Sequence, residues 1–254
     1  MALVNYSSSD ESADEGEHES PTGTKLELPG FLESLPSDPA RFPQHFDDPN
    51  LHQCRQRSFP HETGNWATSV FINCSSALDT LLMQILRNPK LLHNSLWHLF
   101  APVEELHLSL SKTWPIMHHW IDGLIQALTE GFSSVEKFPI QFSHVDIFVN
   151  EEASRSFVAL CTTSGSSDHL IPVVKIVDRC VQSFRGPVYY KDPRFHVSML
   201  WCKGDITADA DTTDLQSLME EINRVCQVNK NHCCQDVSGL VCKIGHKLFD
   251  IPFL

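Results

Sequence analysis

A chain of 254 residues, 41% of them hydrophobic and 15 of them Phe, can bury a substantial core in one large domain or two small lobes. No apolar run approaches the ~18 residues of a membrane span. The N-terminus is acidic where a secretory signal would be basic and then apolar, so a cytosolic or nuclear protein without a membrane partner is expected. The nine cysteines are odd in number and form no Cys-x-x-Cys, which argues against a disulfide framework or a zinc ribbon. The net charge of −13 argues against long nonspecific duplex binding and for a short strand or an end.

Residues 1–24 hold six acids (Asp10, Glu11, Asp14, Glu15, Glu17 and Glu19) and no Lys or Arg, and this composition predicts a disordered acidic leader. Residues 25–62 are Pro-rich without sustained periodicity and read as an irregular extension or a linker. The folded body is expected over 63–254. Gly64–Asn73 reads as a strand by its β-branched and aromatic content. Ser75 and Ser76 suit the cap of a helix over Ala77–Leu86, which stops before Pro89, and Leu91–Leu99 has a helical apolar pattern. Glu104–Ser111 reads as a strand, and Pro115 as the N-terminus of a helix over Ile116–Gly131. Phe138–Asn150 and Ser156–Thr163 read as a hairpin. A helix over Asp168–Phe184 follows, capped by Ser166 or Ser167 and with Pro172 in its first turn. Arg194–Cys202 is a strand, Asp214–Val228 a helix, and Gly239–Ile244 and Lys247–Pro252 are short closing strands.

Two of these strands carry the same pattern. His107-Leu108-Ser109 and His196-Val197-Ser198 are both His-x-Ser within a short apolar run. Strand side chains alternate, so His and Ser two residues apart share a face, roughly 7 Å apart along the strand. By the same alternation His107, Ser109 and Ser111 face one way and Leu106, Leu108 and Leu110 the other. His196 and Ser198 likewise oppose Val197 and Met199. One such copy is most often structural. Two copies in matching contexts point to two similar α+β half-domains facing a shared cleft.

Two opposed imidazoles suit acid–base chemistry near neutral pH, one accepting a proton and the other donating it, each contributing roughly 10²–10⁴-fold. The serine hydroxyls suit hydrogen bonding to the non-bridging oxygens of a phosphodiester. This set fits attack of a ribose 2′-OH on the adjacent phosphorus with departure of the 5′-oxygen, or opening of an existing cyclic phosphate by water. A serine-nucleophile reading lacks a Gly-x-Ser-x-Gly turn. His232-Cys233-Cys234 and His118-His119 have adjacent spacing that fits no familiar zinc pattern, and no metal or other cofactor is expected.

The acidic total does not describe the second motif's neighbourhood. Residues 175–203 hold six basic residues (Lys175, Arg179, Arg185, Lys191, Arg194 and Lys203) against Asp178 and Asp192. Local potential governs capture of a polyanion more than net charge does. Of Tyr189 and Tyr190, one is expected in the core. Tyr190, ahead of a turn at Asp192-Pro193, is the candidate to stack on a base.

The paired motifs resemble the 2H phosphoesterase superfamily. More narrowly, Gly64-Asn65-Trp66-Ala67-Thr68, His107-Leu108-Ser109-Leu110-Ser111, Thr162-Thr163-Ser164-Gly165 and Tyr190-Lys191-Asp192-Pro193-Arg194-Phe195-His196-Val197-Ser198 resemble the 3′-end processing phosphodiesterases of U6 small nuclear RNA. Trp201-Cys202-Lys203-Gly204-Asp205 and Cys242-Lys243-Ile244-Gly245-His246-Lys247 extend the match, which covers about residues 60–254. The resemblance implies two pseudo-symmetric lobes, each an antiparallel sheet packed by helices, with a central cleft. It implies a nuclear, metal-independent 3′→5′ exoribonuclease, expected to be monomeric. Its substrate would be the single-stranded 3′ end of a U-rich small nuclear RNA, and its product a 2′,3′-cyclic phosphate, opened in some members to a 3′-phosphate. His107 and His196 would be catalytic, Ser109 and Ser198 would bind phosphate, and Tyr190 would stack on a base. Ser111, on the same strand face, joins them as a substrate-binding candidate. The rivals are a cyclic phosphodiesterase of small nucleotides or tRNA-splicing products, and a non-catalytic RNA-end binding module.

Overall fold

The computed structural model describes Phe59, Glu62 and residues 64–254. The acidic leader expected over 1–24 and the extension over 25–62 lie outside those residues, Phe59 and Glu62 excepted. The described strands form one antiparallel sheet in the order β10-β9-β1-β3-β7-β6-β5-β8, curled on itself. These are β1 (Asn65–Asn73), β3 (His107–Ser109), β5 (Phe138–Val149), β6 (Arg155–Thr162), β7 (His196–Lys203), β8 (Cys234–Val237), β9 (Gly239–Ile244) and β10 (Lys247–Pro252). The short β2 (Ala101–Pro102) pairs with β7, and β4 (Trp114–Met117) with β1. The sheet thus divides into two four-strand halves that meet at β3 and β7, the two motif strands.

Helices cover the apolar side. In α3 (Ile121–Phe132), Leu124, Leu128 and Phe132 recur every four residues and are fully buried, and the helix packs on β10 and on α4 (Ser164–Ser183). α4 buries Leu170, Val173, Val174, Val177 and Val181 and packs on α3 and β5. α6 (Thr212–Val228) is capped by Asp211, whose carboxylate accepts from the Thr213 and Asp214 amides, and packs on β5 and on α1 (Ser76–Leu86). One buried cluster runs through both halves and contains Leu108 and Val197, each fully buried. The expected two-lobed α+β architecture is present, with its lobes continuous through the β3–β7 seam.

Three local expectations differ from the structure. Pro115 does not open a helix: it sits in β4 opposite Ala67 of β1, where the ladder tolerates a residue without an N–H because the strand lies off the main path. Leu91–Leu99 is a short helix α2 (Pro89–Leu92), capped by Asn88, followed by a 3₁₀ turn over Trp97–Leu99. α4 starts earlier than expected because Thr163, not Ser166 or Ser167, caps it through the Ser166 amide. Pro172 consequently lies inside the helix, on its exposed side. The four-residue α5 (Ile206–Asp209) follows β7. No helix among the described residues is long and apolar enough to cross a membrane.

Candidate active site

The seam sets the geometry. Leu108 pairs with Val197 in antiparallel register, and both point into the core. On the other face His107 then lies beside Ser198, and Ser109 beside His196. The four motif side chains therefore form a diagonal arrangement, each His next to the other strand's Ser, all partly exposed. A bulge at Met199 keeps Val197, Met199, Leu200 and Cys202 all buried, and returns Trp201 to the site face.

Both imidazoles are anchored in the same way. His107 Nδ1 lies 2.9 Å from the Glu105 carbonyl and His196 Nδ1 lies 2.7 Å from the Arg194 carbonyl. A carbonyl only accepts, so each Nδ1 carries the proton, and in the neutral ring Nε2 is left as the base. His196 has an imidazole pKa below the ordinary 6.5. Burial is the main cause, opposed by the bond to the Arg194 carbonyl and reinforced by the Arg194 and His107 charges. That electrostatic influence of His107 on His196 places the two rings in one local field.

The surroundings of the rings differ. His196 stacks on Phe148 of β5, with centroids 3.9 Å apart and planes at 22°. His107 meets Phe71 of β1 at 5.0 Å and 52°. The Arg194 guanidinium lies 4.5 Å from the Phe148 centroid and pairs with Asp146.

The loop ahead of β7 divides its tyrosines. Tyr189 is buried, and its hydroxyl donates to the Ser109 carbonyl at 3.0 Å while its amide donates to Asp178. Burial raises its phenol pKa, as do neighbouring Tyr190 and Asp178. Tyr190 is 50% exposed, in edge contact with Tyr189, with the Lys112 ammonium 4.3 Å from its ring centroid. Lys112 also reaches Glu151 of the β5–β6 turn.

Ser111 departs from the expected strand face. The Leu110 and Ser111 amides both donate to the Val70 carbonyl, at 2.9 and 3.2 Å, which inserts an extra residue after β3 and breaks the alternation. The Ser111 side chain turns inward, 6% exposed, and its Oγ accepts from the Val70 amide at 2.8 Å. It supports β1 from beneath, its hydroxyl turned away from the face that carries His107 and Ser109. Phe148 and Lys112 were not singled out from the sequence. Phe148 reads as one more apolar residue of a long strand, whereas the position of Lys112 directly after the first motif was a usable signal. Among the described residues no group of three or more His, Cys, Asp or Glu side chains is arranged to hold a metal ion. Cys233 instead donates to the Cys226 and Asn229 carbonyls.

A curled antiparallel sheet with two His-x-Ser strands abutting at its centre is the arrangement expected from the resemblance to the 2H phosphoesterases. Residues 26–252 match a family described as HVSL, an uncharacterised conserved protein. The chain is 33% identical over 267 residues to U6 snRNA phosphodiesterase 1 of Xenopus laevis, covering 100% of both chains. It is also 33% identical over 211 residues to the protein of that name in Homo sapiens, covering 81% of this chain and 76% of the human one. It therefore belongs to the U6 snRNA phosphodiesterase family. In fold it is similar to Kluyveromyces marxianus Usb1, with a TM-score of 0.50 and 16% identity over 75% of this chain and 98% of that one. A second structure of that protein, with uridine monophosphate, gives the same score.

Proposed function

We propose that this phosphodiesterase is a nuclear 3′→5′ exoribonuclease that trims the oligouridine 3′ end of U6 small nuclear RNA by attack of a ribose 2′-OH. The observation that carries this reading is the seam itself. Two imidazoles, each held through Nδ1 by a carbonyl two residues earlier, present Nε2 on the face that also carries Ser109 and Ser198. The names of the family relatives support the substrate.

In the proposed step His196, biased toward the neutral form, accepts the 2′-OH proton of the penultimate nucleotide at Nε2. The 2′-oxygen bonds to phosphorus and the P–O5′ bond breaks. His107 donates its Nε2 proton to the leaving 5′-oxygen, and the shortened RNA ends in a 2′,3′-cyclic phosphate. Ser109 and Ser198 donate hydrogen bonds to the non-bridging oxygens, where charge accumulates. Tyr190 offers a half-exposed ring for the terminal base, from which Lys112 would be displaced. No step calls for a metal ion, and a monomer contains every group named.

The test is incubation with a 3′-oligouridylated RNA in EDTA, with products identified by mass spectrometry. Cyclic phosphate ends are expected with or without chelator, and inhibition by chelator would overturn the metal-free step. An RNA whose penultimate ribose lacks its 2′-OH should be inert; its trimming would exclude the proposed nucleophile. His107→Ala and His196→Ala should each lose roughly 10²–10⁴-fold in kcat, and near wild-type turnover by either would break the acid–base pair.

A further inference from the structure

The two histidines have matching backbone anchors and unequal side-chain support, and the proposed chemistry does not use the difference. We propose that Phe148 is a positioning residue for the reaction: stacked on His196 and backed by the Arg194–Asp146 ion pair, it fixes the plane of that imidazole. This inference rests on the acid–base role proposed for His196.

A hydrogen bond at Nδ1 fixes one corner of the ring and leaves it free to rock about that corner. A flat partner on the ring face removes the rocking. Phe148 supplies it at 3.9 Å and 22°, a near-parallel stack, whereas the Phe71–His107 contact is longer and tilted. The stack crosses the sheet. Phe148 lies on β5 and His196 on β7, with β6 between them. Curling brings the two rings together across β6, on which Phe157 pairs with Phe148, Cys161 pairs with His196, and the small, fully buried Ala159 lies midway between them.

Arg194 closes the arrangement. Its backbone carbonyl holds His196 Nδ1 while its guanidinium lies over the Phe148 ring, so one residue fixes both members of the stack. Asp146, two residues before Phe148 and therefore on the same strand face, holds the guanidinium in place. The basic side chain nearest the second motif is thereby engaged in organising His196. The charged and titratable groups around the ring are His107 from β3, Arg194 from the preceding loop, Asp146 from β5 and Cys161, opposite His196 on β6. The stack also withdraws one ring face from water, in line with the burial that lowers the His196 pKa.

The experiment compares Phe148→Ala, Phe148→Leu and Phe148→Tyr in the full chain with wild type and His196→Gln. It reads kcat and KM on a 3′-oligouridylated RNA, and the titration of the His196 ring by NMR, assigned by its loss in His196→Gln. Phe148→Ala and Phe148→Leu should lower kcat by about 10- to 100-fold, with KM within about twofold, because a misdirected Nε2 affects the transition state and not ground-state binding. In Phe148→Ala the His196 titration should move upward toward the ordinary imidazole value. Phe148→Tyr, which keeps the flat ring, should restore kcat. Wild-type kcat and an unmoved titration in folded Phe148→Ala would overturn the proposal, as would a rise in KM alone. Should Phe148→Ala not fold, Phe148→Leu decides through the kcat and KM readouts. A wild-type rate in His196→Gln would instead refute the acid–base reading beneath it, so the two failures are distinguishable.

Discussion

Replacing Ser111 by alanine tests whether this serine serves the fold or, as proposed for Ser109 and Ser198, the substrate. Its Oγ accepts from the Val70 amide at 2.8 Å, and both residues are buried, Val70 completely. Ser111→Ala leaves that amide without its partner in the core of β1. An unsatisfied buried donor costs about 1–3 kcal/mol. For a folded body of this size each kcal/mol lowers Tm by about 2–4 °C, so a fall of about 2–12 °C is expected. The chemistry should be spared, because Ser111 faces away from His107 and Ser109. The assay pairs thermal and urea unfolding with kcat and KM on a 3′-oligouridylated RNA, measured well below the variant's Tm. Unchanged stability together with weakened RNA binding would refute the bulge argument and return Ser111 to the substrate.

Tyr190→Ala should weaken RNA binding by about 5- to 150-fold, the equivalent of one base–aromatic stack at ~1–3 kcal/mol, while Tyr190→Phe keeps the ring and the affinity. Unchanged binding by Tyr190→Ala, measured with non-cleavable RNA, would remove Tyr190 from the site. The lowered His196 pKa also gives a stability prediction. As pH falls below about 6.5 the unfolded chain takes up this proton before the folded one does, so the stability present above that pH declines until the folded-state value is passed. The stability of wild type relative to His196→Gln, read from urea midpoints, should therefore fall between pH 7.5 and 5.5, and a constant or rising difference would contradict it.

What the sequence determined by itself is local. The facing of His107 with Ser109, and of His196 with Ser198, follows from the two-residue period of a strand, a property of the covalent backbone. The helices α3, α4 and α6 were legible in outline for a similar reason, since each residue's neighbours on a helix face lie three or four positions away. The separation of a buried Tyr189 from an exposed Tyr190 was expected only as one of each, with the turn at Asp192-Pro193 favouring Tyr190.

The tertiary structure decided which distant segments meet, and those meetings alter local patterns. The alternation that correctly faced Ser109 failed two residues later, because a bulge depends on the Val70 carbonyl of another strand accepting two amides. Pro115 carries a helix-start signal, and its place in a strand was set by its pairing with β1. β8, paired with β5, was not expected at all: Cys234–Val237 is too short to show a period, and its partner lies far away in the chain. The same holds for the stack of Phe148 on His196. Nothing in a linear pattern records that a sheet curls enough to bring side chains of the first and third of three neighbouring strands into contact. Side-chain periodicity is written residue by residue, whereas pairing, bulging and curling are settled by the packing of the whole sheet against its helices.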